Sequence, residues 1–127
     1  MPTNVYIVED HPLLQRMLSE FIMHLSDLNV CGVAAYGKDA LMQIPKSKVD
    51  LLLLDLCLPD MTGFKLISEL TPLLPDLPVL ILSTYNEPIY IQRALAAGAR
   101  GYIVKGDPYE VETAIRQVLA GEIYLSL

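Results

Sequence analysis

Hydrophobic residues along this chain follow two alternating patterns. Short apolar runs of strand length occupy residues 4–8, 30–35, 51–54, 79–82 and 101–104. The run at 51–54 has no polar residue in it, which is typical of a central strand of a parallel sheet that is covered on both faces. The stretch around it, residues 49–63, therefore organises the predicted fold.

Between these runs, apolar residues recur every three or four positions, which predicts amphipathic helices. The first helix begins at Pro12 and the last at Asp107-Pro108, and the others cover 37–44, 63–74 and 89–97. Pro72 should weaken the last turn of the third helix, and Gly98 should close the fourth. Residues 45–48 read as a polar connection.

Five strands thus alternate with five helices. This alternation predicts βαβ crossovers, which are almost always right-handed. The expected fold class is α/β, with a doubly wound five-stranded parallel sheet in a three-layer sandwich.

Composition narrows the class of protein. A chain of 127 residues is expected to form one domain, and its apolar runs are too short to span a membrane or to form a signal peptide. We therefore expect a cytoplasmic protein without a membrane contact. The net charge of −6 opposes binding to nucleic acid. Cys31 and Cys57 lack the spacing of a zinc site and read as strand residues.

Polar residues follow four of the predicted strands: Glu9 and Asp10, Asp55, Ser83 and Thr84, and Lys105. In a parallel sheet these strand ends meet at one edge, where ligands bind. Three crowded carboxylates repel one another, so either one stays protonated or a divalent cation binds among them, and Mg²⁺ fits best. Asp55 could then be a nucleophile in phosphoryl transfer, although on this stretch alone it could equally cap the turn that follows.

The order and spacing of these residues carry a resemblance to a known family. Ser83 and Lys105 follow Asp55 by 83 − 55 = 28 and 105 − 55 = 50 positions. With the acid pair before them and Pro59-Asp60 and Gly63 after Asp55, the chain resembles a response-regulator receiver domain of two-component signalling. The stretches E-D-H-P, G-A-R-G-Y-I-V-K-G and A-G-E-I-Y-L-S look most like receivers that precede a LuxR-type helix-turn-helix domain.

The resemblance implies a flavodoxin-like (βα)5 fold over residues 1–121, with 122–127 beginning a linker to a C-terminal DNA-binding domain. It implies that Asp55 accepts a phosphoryl group from a sensor histidine kinase and that the protein is not a turnover enzyme. The implied Mg²⁺ ligands are Glu9, Asp10, Asp55 and the backbone carbonyl of Cys57. Lys105 and Ser83 would hold the phosphoryl oxygens, and Ser83 and Tyr102 would form the switch.

Some positions depart from the family. Gly106 replaces a common proline after Lys105, so we expect a trans peptide there, because a cis bond without proline costs about 3–4 kcal/mol. Cys57 and Tyr85 border the path of a hydrolytic water and neither could orient it, which favours slow dephosphorylation. His11 and His24 are assigned no role.

The same residues argue against two other classes of protein. A haloacid-dehalogenase-like phosphohydrolase needs a second aspartate where Cys57 stands, and a flavodoxin-like flavin binder needs a phosphate loop where the acid pair stands. A pseudo-receiver that acts only as an interaction module stays open. For the output we expect phosphorylation-promoted homodimerisation, or release of a covering domain, through the helix that carries residues 89–91, because that helix cannot bury all three of these apolar side chains.

Overall fold

Six parallel strands form one sheet in the computed structural model, which describes residues 2–126. The strands lie in the order β2-β1-β3-β4-β5-β6. In chain order they are β1 (Thr3–Val8), β2 (Leu28–Ala34), β3 (Leu51–Asp55), β4 (Val79–Ser83), β5 (Gly101–Val104) and β6 (Tyr124–Leu125). The α/β fold with a doubly wound parallel sheet is confirmed, and this order places the ends of β1, β3, β4 and β5 side by side.

Five helices connect the strands, at the places the apolar periodicity predicts. They are α1 (Pro12–Met23), α2 (Gly37–Gln43), α3 (Gly63–Leu70), α4 (Pro88–Ala96) and α5 (Pro108–Leu119). A short 3₁₀ turn, Ile44–Lys46, follows α2 where a polar connection was predicted. The prediction that α3 continues to residue 74 is wrong, because Pro72 cannot continue the helical hydrogen bonds and the chain ends α3 at Leu70.

The central strand divides the core into two layers. Leu51 and Leu53 pack on one face of the sheet with α1 and α5, and Leu52 and Leu54 pack on the other with α2, α3 and α4. All four leucines are at most 1% exposed, so β3 is covered on both faces as its apolar run predicts. Asp55 is the first polar residue that this buried strand reaches.

The sheet has one strand more than the sequence predicts. Residues Tyr124 and Leu125 pair in parallel with Gly101 and Tyr102 of β5. A side chain at position 101 would collide with Leu80 and would approach the Tyr124 carbonyl oxygen to 3.3 Å, so a glycine there allows the close packing. Part of the segment predicted as the start of a linker therefore belongs to the sheet. Within residues 2–126, no helix has the length and apolarity needed to cross a membrane.

Candidate functional site

Asp55 ends β3 at the centre of the polar edge of the sheet. Glu9 lies directly after β1 and Lys105 directly after β5, and the Lys105 ammonium lies between the carboxylates of Glu9 and Asp55. The Lys105 Nζ atom is 3.1 Å from Glu9 Oε1 and 3.4 Å from Asp55 Oδ2. The side chains of Glu9 and Asp55 are 2% and 7% exposed, so these charges are largely removed from water. Three strands thus place two buried carboxylates and one ammonium group in contact.

The acidic residues at this edge fit a hard divalent cation. Oxygen atoms of Glu9, Asp10 and Asp55 lie within 4.8 Å of one another. Glu9 Oε1 is buried and receives no well-directed hydrogen bond from the part of the chain that the structure describes, although the Lys105 ammonium is close to it. Among residues 2–126, no hydrogen bond reaches the backbone carbonyl of Cys57 either. Carboxylate and carbonyl oxygens are the ligands that Mg²⁺ prefers, so the donor set suits this ion.

Burial determines the protonation behaviour of the site. Removal from water raises the pKa of Asp55 to about 7; the N–H of Cys57 opposes that shift, and repulsion from Glu9 adds to it. Burial lowers the pKa of Lys105, but the attraction of Asp55 and Glu9 outweighs it and the pKa is raised. In the absence of a cation, a proton on Asp55 relieves the crowding of negative charge.

The loop after Asp55 is held by backbone contacts and by Asp60. The Cys57 N–H donates to Asp55 Oδ1 at 3.1 Å. At position 63, a Cβ would lie 3.0 Å from the Asp55 carbonyl oxygen, so Gly63 allows α3 to begin against the end of β3. The Asp60 carboxylate accepts hydrogen bonds from the N–H groups of Gly37 and Lys38, at 2.8 and 3.0 Å.

Asp60 therefore fixes the loop that carries Cys57 to the start of α2. Its pKa is lowered, chiefly by the hydrogen bond from the Lys38 N–H. The sequence identified Asp60 only as a turn residue. Its partners lie more than twenty positions away, and a cap that acts across that distance leaves no local signal in the sequence.

Ser83 and Tyr102 meet through the backbone of Tyr85. The buried Ser83 hydroxyl accepts from the Tyr85 N–H at 3.0 Å, and the Tyr102 hydroxyl donates to the Tyr85 carbonyl at 2.6 Å. Tyr102 is fully buried, so its ring points inward. The Tyr85 ring stacks on Tyr90 of α4 with centroids 4.6 Å apart, and its hydroxyl lies 3.6 Å from Cys57 Sγ. The loop after β4 thus connects the acidic edge to α4.

An open polar cavity of about 420 Å³ gives access to this edge. Its lining includes the residues predicted from the strand ends: Glu9, Asp10, Asp55, Ser83, Thr84 and Lys105. Cys57 and Tyr85 also line it. The peptide bond after Lys105 is trans, as predicted. His11 caps α1, since its Nδ1 accepts from the Leu14 N–H at 3.3 Å.

Sequence comparison assigns the chain to a family. The profile of the response regulator receiver domain matches residues 5–116. The chain therefore belongs to the receiver domains of response regulators, the class that the parallel sheet and its acidic edge resemble.

The chain is similar to bacterial regulatory proteins. An uncharacterized transcriptional regulatory protein of Bacillus subtilis, YhcZ, is 35% identical over 96% of the chain, and the response regulator protein VraR of Staphylococcus aureus is 33% identical over 96%. The chain spans 57% and 59% of the lengths of these two relatives.

Solved structures agree with this family. A LuxR-family response regulator from Aurantimonas is 25% identical with a TM-score of 0.94, covering 99% of this chain and 91% of that one. The isolated receiver domain of RcsB from Salmonella enterica, at 23% identity, shares the fold with a TM-score of 0.91 over 99% of this chain and 94% of that one.

Proposed function

We propose that this receiver domain accepts a phosphoryl group on Asp55 from a sensor histidine kinase and thereby controls a transcription-regulating output. The observation that carries the proposal is the placement of Asp55. A buried carboxylate ends the central strand, with the Lys105 ammonium 3.4 Å from its Oδ2 and with Glu9 and Asp10 beside it. We place this reaction in the cytoplasm.

In the proposed reaction, an oxygen of Asp55 forms a bond to phosphorus while the bond between phosphorus and the donor nitrogen breaks. Lys105 faces the attacking carboxylate and offsets the charge of the incoming phosphoryl oxygens. Glu9, Asp10, Asp55 and the Cys57 carbonyl would hold Mg²⁺, which neutralises negative charge on the carboxylates and on the phosphoryl group. The position of Asp60 keeps the Cys57 loop beside this ligand set.

Ser83 and Tyr102 are the proposed switch residues. The Ser83 hydroxyl now accepts from the Tyr85 N–H, and rotation of this side chain would let it donate to a phosphoryl oxygen. Because Tyr102 donates to the carbonyl of the same Tyr85, a change at Ser83 alters the surroundings of Tyr102. Cys57 and Tyr85 offer no carboxylate or amide to orient water, which supports slow dephosphorylation and a role as a switch rather than a turnover enzyme.

The proposed output involves α4 and a following domain. Ile89 is 56% exposed, and Tyr90 stacks on Tyr85 beside the site, so α4 presents apolar surface next to the switch. We propose phosphorylation-promoted homodimerisation through this helix and control of a C-terminal DNA-binding domain after residue 121. With a net charge of −6, the receiver itself is not the part that contacts nucleic acid.

An intact-mass measurement tests the proposal. The protein is incubated with a small acyl phosphate, with Mg²⁺ or with a chelator. We expect one added phosphoryl group only with Mg²⁺, no addition to Asp55→Asn, and full addition to the control Asp27→Asn, which changes an exposed aspartate. Failure of the parent protein to react would favour the pseudo-receiver alternative, and an adduct on Asp55→Asn would refute the assignment of the acceptor.

A further inference from the structure

The end of the chain returns to the strand that leads into the functional site. The Tyr124 N–H donates to the Arg100 carbonyl at 3.1 Å, and the Ser126 N–H donates to the Tyr102 carbonyl at 2.9 Å. In the other direction, the Val104 N–H donates to Ser126 Oγ at 3.1 Å. Residues 124–126, which we call the tail, thus occupy the outer edge of β5 along its whole length.

Glu110 of α5 holds both polar side chains of the tail. The hydroxyls of Tyr124 and Ser126 each donate to its Oε2 atom at 2.8 Å. The Tyr124 ring packs against the core, whereas Ile123 is 58% exposed and Leu125 is 37% exposed. A segment held by hydrogen bonds and a single partly buried ring detaches more readily than one held by a broad buried apolar face.

The tail and the Asp55 site share adjacent residues of β5. Val104 binds Ser126 through its N–H, and Lys105, the next residue, approaches Asp55 Oδ2 to 3.4 Å. Tyr102 makes a second connection, because its carbonyl accepts from Ser126 while its hydroxyl donates to the Tyr85 carbonyl beside Ser83. Movement of this short strand end therefore changes the contacts of both the Asp55 site and the tail.

We propose that the outer edge of β5, together with Glu110, is a docking surface for the tail, and that phosphorylation of Asp55 releases the tail from it. This inference rests on the proposed phosphoacceptor function. A phosphoryl group on Asp55 competes with Glu9 for the Lys105 ammonium and shifts Lys105 together with Val104. The tail fits β5 in the present arrangement of these residues, so such a shift weakens its hydrogen bonds. Release frees the polypeptide that follows residue 121 to move relative to the receiver.

The linkage is reciprocal, which permits a two-sided test. Amide exchange of Val104 and Ser126 is followed by NMR in Mg²⁺, with and without beryllium fluoride as the phosphoryl mimic. We expect the mimic to speed exchange of both amides by at least about 5-fold, the lower end of typical coupling factors. Because Glu110→Ala removes the acceptor for both tail hydroxyls, this variant should bind the mimic more tightly, by up to the same factor, which complete release of the tail would reach.

Two variants of α5 serve as controls. Glu112→Ala changes a carboxylate on the same helix that pairs with Arg116 and makes no hydrogen bond to residues 124–126, so its affinity for the mimic should match the parent. Glu110→Gln keeps an acceptor oxygen, so its affinity for the mimic should fall between those of the parent and Glu110→Ala. This variant separates loss of the hydrogen bonds to the tail from a general loss of folding.

The two proposals fail in different ways. Suppose that the protein acquires a phosphoryl group and binds the mimic, but that the exchange rates of the Val104 and Ser126 amides do not change. This result would overturn the release of the tail and leave the phosphoacceptor function standing. Weaker binding of the mimic by Glu110→Ala would overturn it as well. If the parent binds no mimic and acquires no phosphoryl group, both proposals fall.

Discussion

Two charged clusters of this protein contain the same kinds of groups and behave in opposite ways. On the surface, Arg116 of α5 makes a bidentate contact with Asp27, at 2.6 and 3.1 Å, and also binds Glu112. At the sheet edge, Lys105 lies between Glu9 and Asp55 at 3.1 and 3.4 Å. The surface side chains of Arg116 and Asp27 are 43% and 60% exposed, whereas those of Glu9 and Asp55 are 2% and 7% exposed.

The pKa values of the two aspartates show what burial changes. The hydrogen bond from Arg116 lowers the pKa of Asp27 and outweighs the opposing effect of desolvation at this exposed position. Burial raises the pKa of Asp55 to about 7 even though an ammonium group is close by. The charges of the surface cluster are thus stabilised by their partners and by water, whereas the sheet-edge cluster holds more negative charge than one lysine can balance. That excess suits a site that receives a cation and a phosphoryl group.

The largest expected effect comes from removing the Asp55 charge. Its folded-state pKa of about 7 exceeds the ordinary 3.8, so the stability of the metal-free parent falls as pH rises between these two values. Asp55→Asn has no ionisable group at this position, so its stability does not fall with pH in this way. Above about pH 8 the variant should exceed the parent in free energy of unfolding by about 1–3 kcal/mol, with little difference near pH 4, in urea titrations with a chelator.

Asp27→Asn provides the opposite sign as a control. The pKa of Asp27 is lowered, so its contribution to stability is present above its ordinary pKa and is lost as pH falls through the folded value. The variant should be slightly less stable than the parent at neutral pH and equal to it in strong acid. A parallel response of both aspartate variants to pH would contradict the contrast between the clusters.

A second comparison removes the positively charged side chain from each cluster. Lys105→Ala leaves Glu9 and Asp55 buried without their partner, and we expect a loss of about 1–3 kcal/mol in the metal-free protein. Arg116→Ala leaves carboxylates that water can solvate, so its loss should be smaller. Chemical denaturation with a chelator measures both, and Mg²⁺ should restore more stability to Lys105→Ala than to Arg116→Ala. Equal losses would show that burial does not separate the clusters.

Asp60→Ala should have a smaller effect, which is confined to the affinity for Mg²⁺. Loss of the two hydrogen bonds to α2 loosens the loop that carries the Cys57 carbonyl. Calorimetry should show Mg²⁺ affinity several-fold below that of the parent, while Asp76→Ala, an exposed aspartate in another loop, should bind as the parent does. Unchanged affinity in Asp60→Ala would remove this residue from the support of the site.

The smallest effect is the response of the surface cluster to salt. About 0.5 M salt screens exposed charges within a few ångströms, so the destabilisation caused by Arg116→Ala should largely vanish there. The Lys105→Ala effect should persist, because its partners are buried. Thermal unfolding at low and high salt distinguishes the two, and a salt-sensitive Lys105 effect would mean that the site is wetter than its exposure indicates.

Much of the fold was predictable because its strands are buried on both faces. The run at 51–54 and the helix starts at Pro12 and Pro108 are local patterns, and the structure agrees with them. The strand-end residues follow from the same logic, since parallel strands bring their carboxyl ends to one edge.

Long-range contacts escaped prediction. Tyr124 and Leu125 form too short a strand to carry a periodic signal, and their pairing depends on Gly101 and on Glu110 from another element. Asp60 caps α2 from a distant loop in the same manner. In both cases the partner is chosen by tertiary structure, which a local pattern does not encode.

The central claim is that Asp55 carries the phosphoryl group, and chemical trapping tests it most directly. Borohydride reduces an aspartyl phosphate to homoserine, so the protein is treated with acyl phosphate and Mg²⁺, reduced, digested and sequenced by mass spectrometry. We predict homoserine at position 55, in the peptide that contains β3, and none when Mg²⁺ is chelated. Homoserine at Asp10, Asp60 or any other aspartate, with an unmodified position 55, would contradict the account.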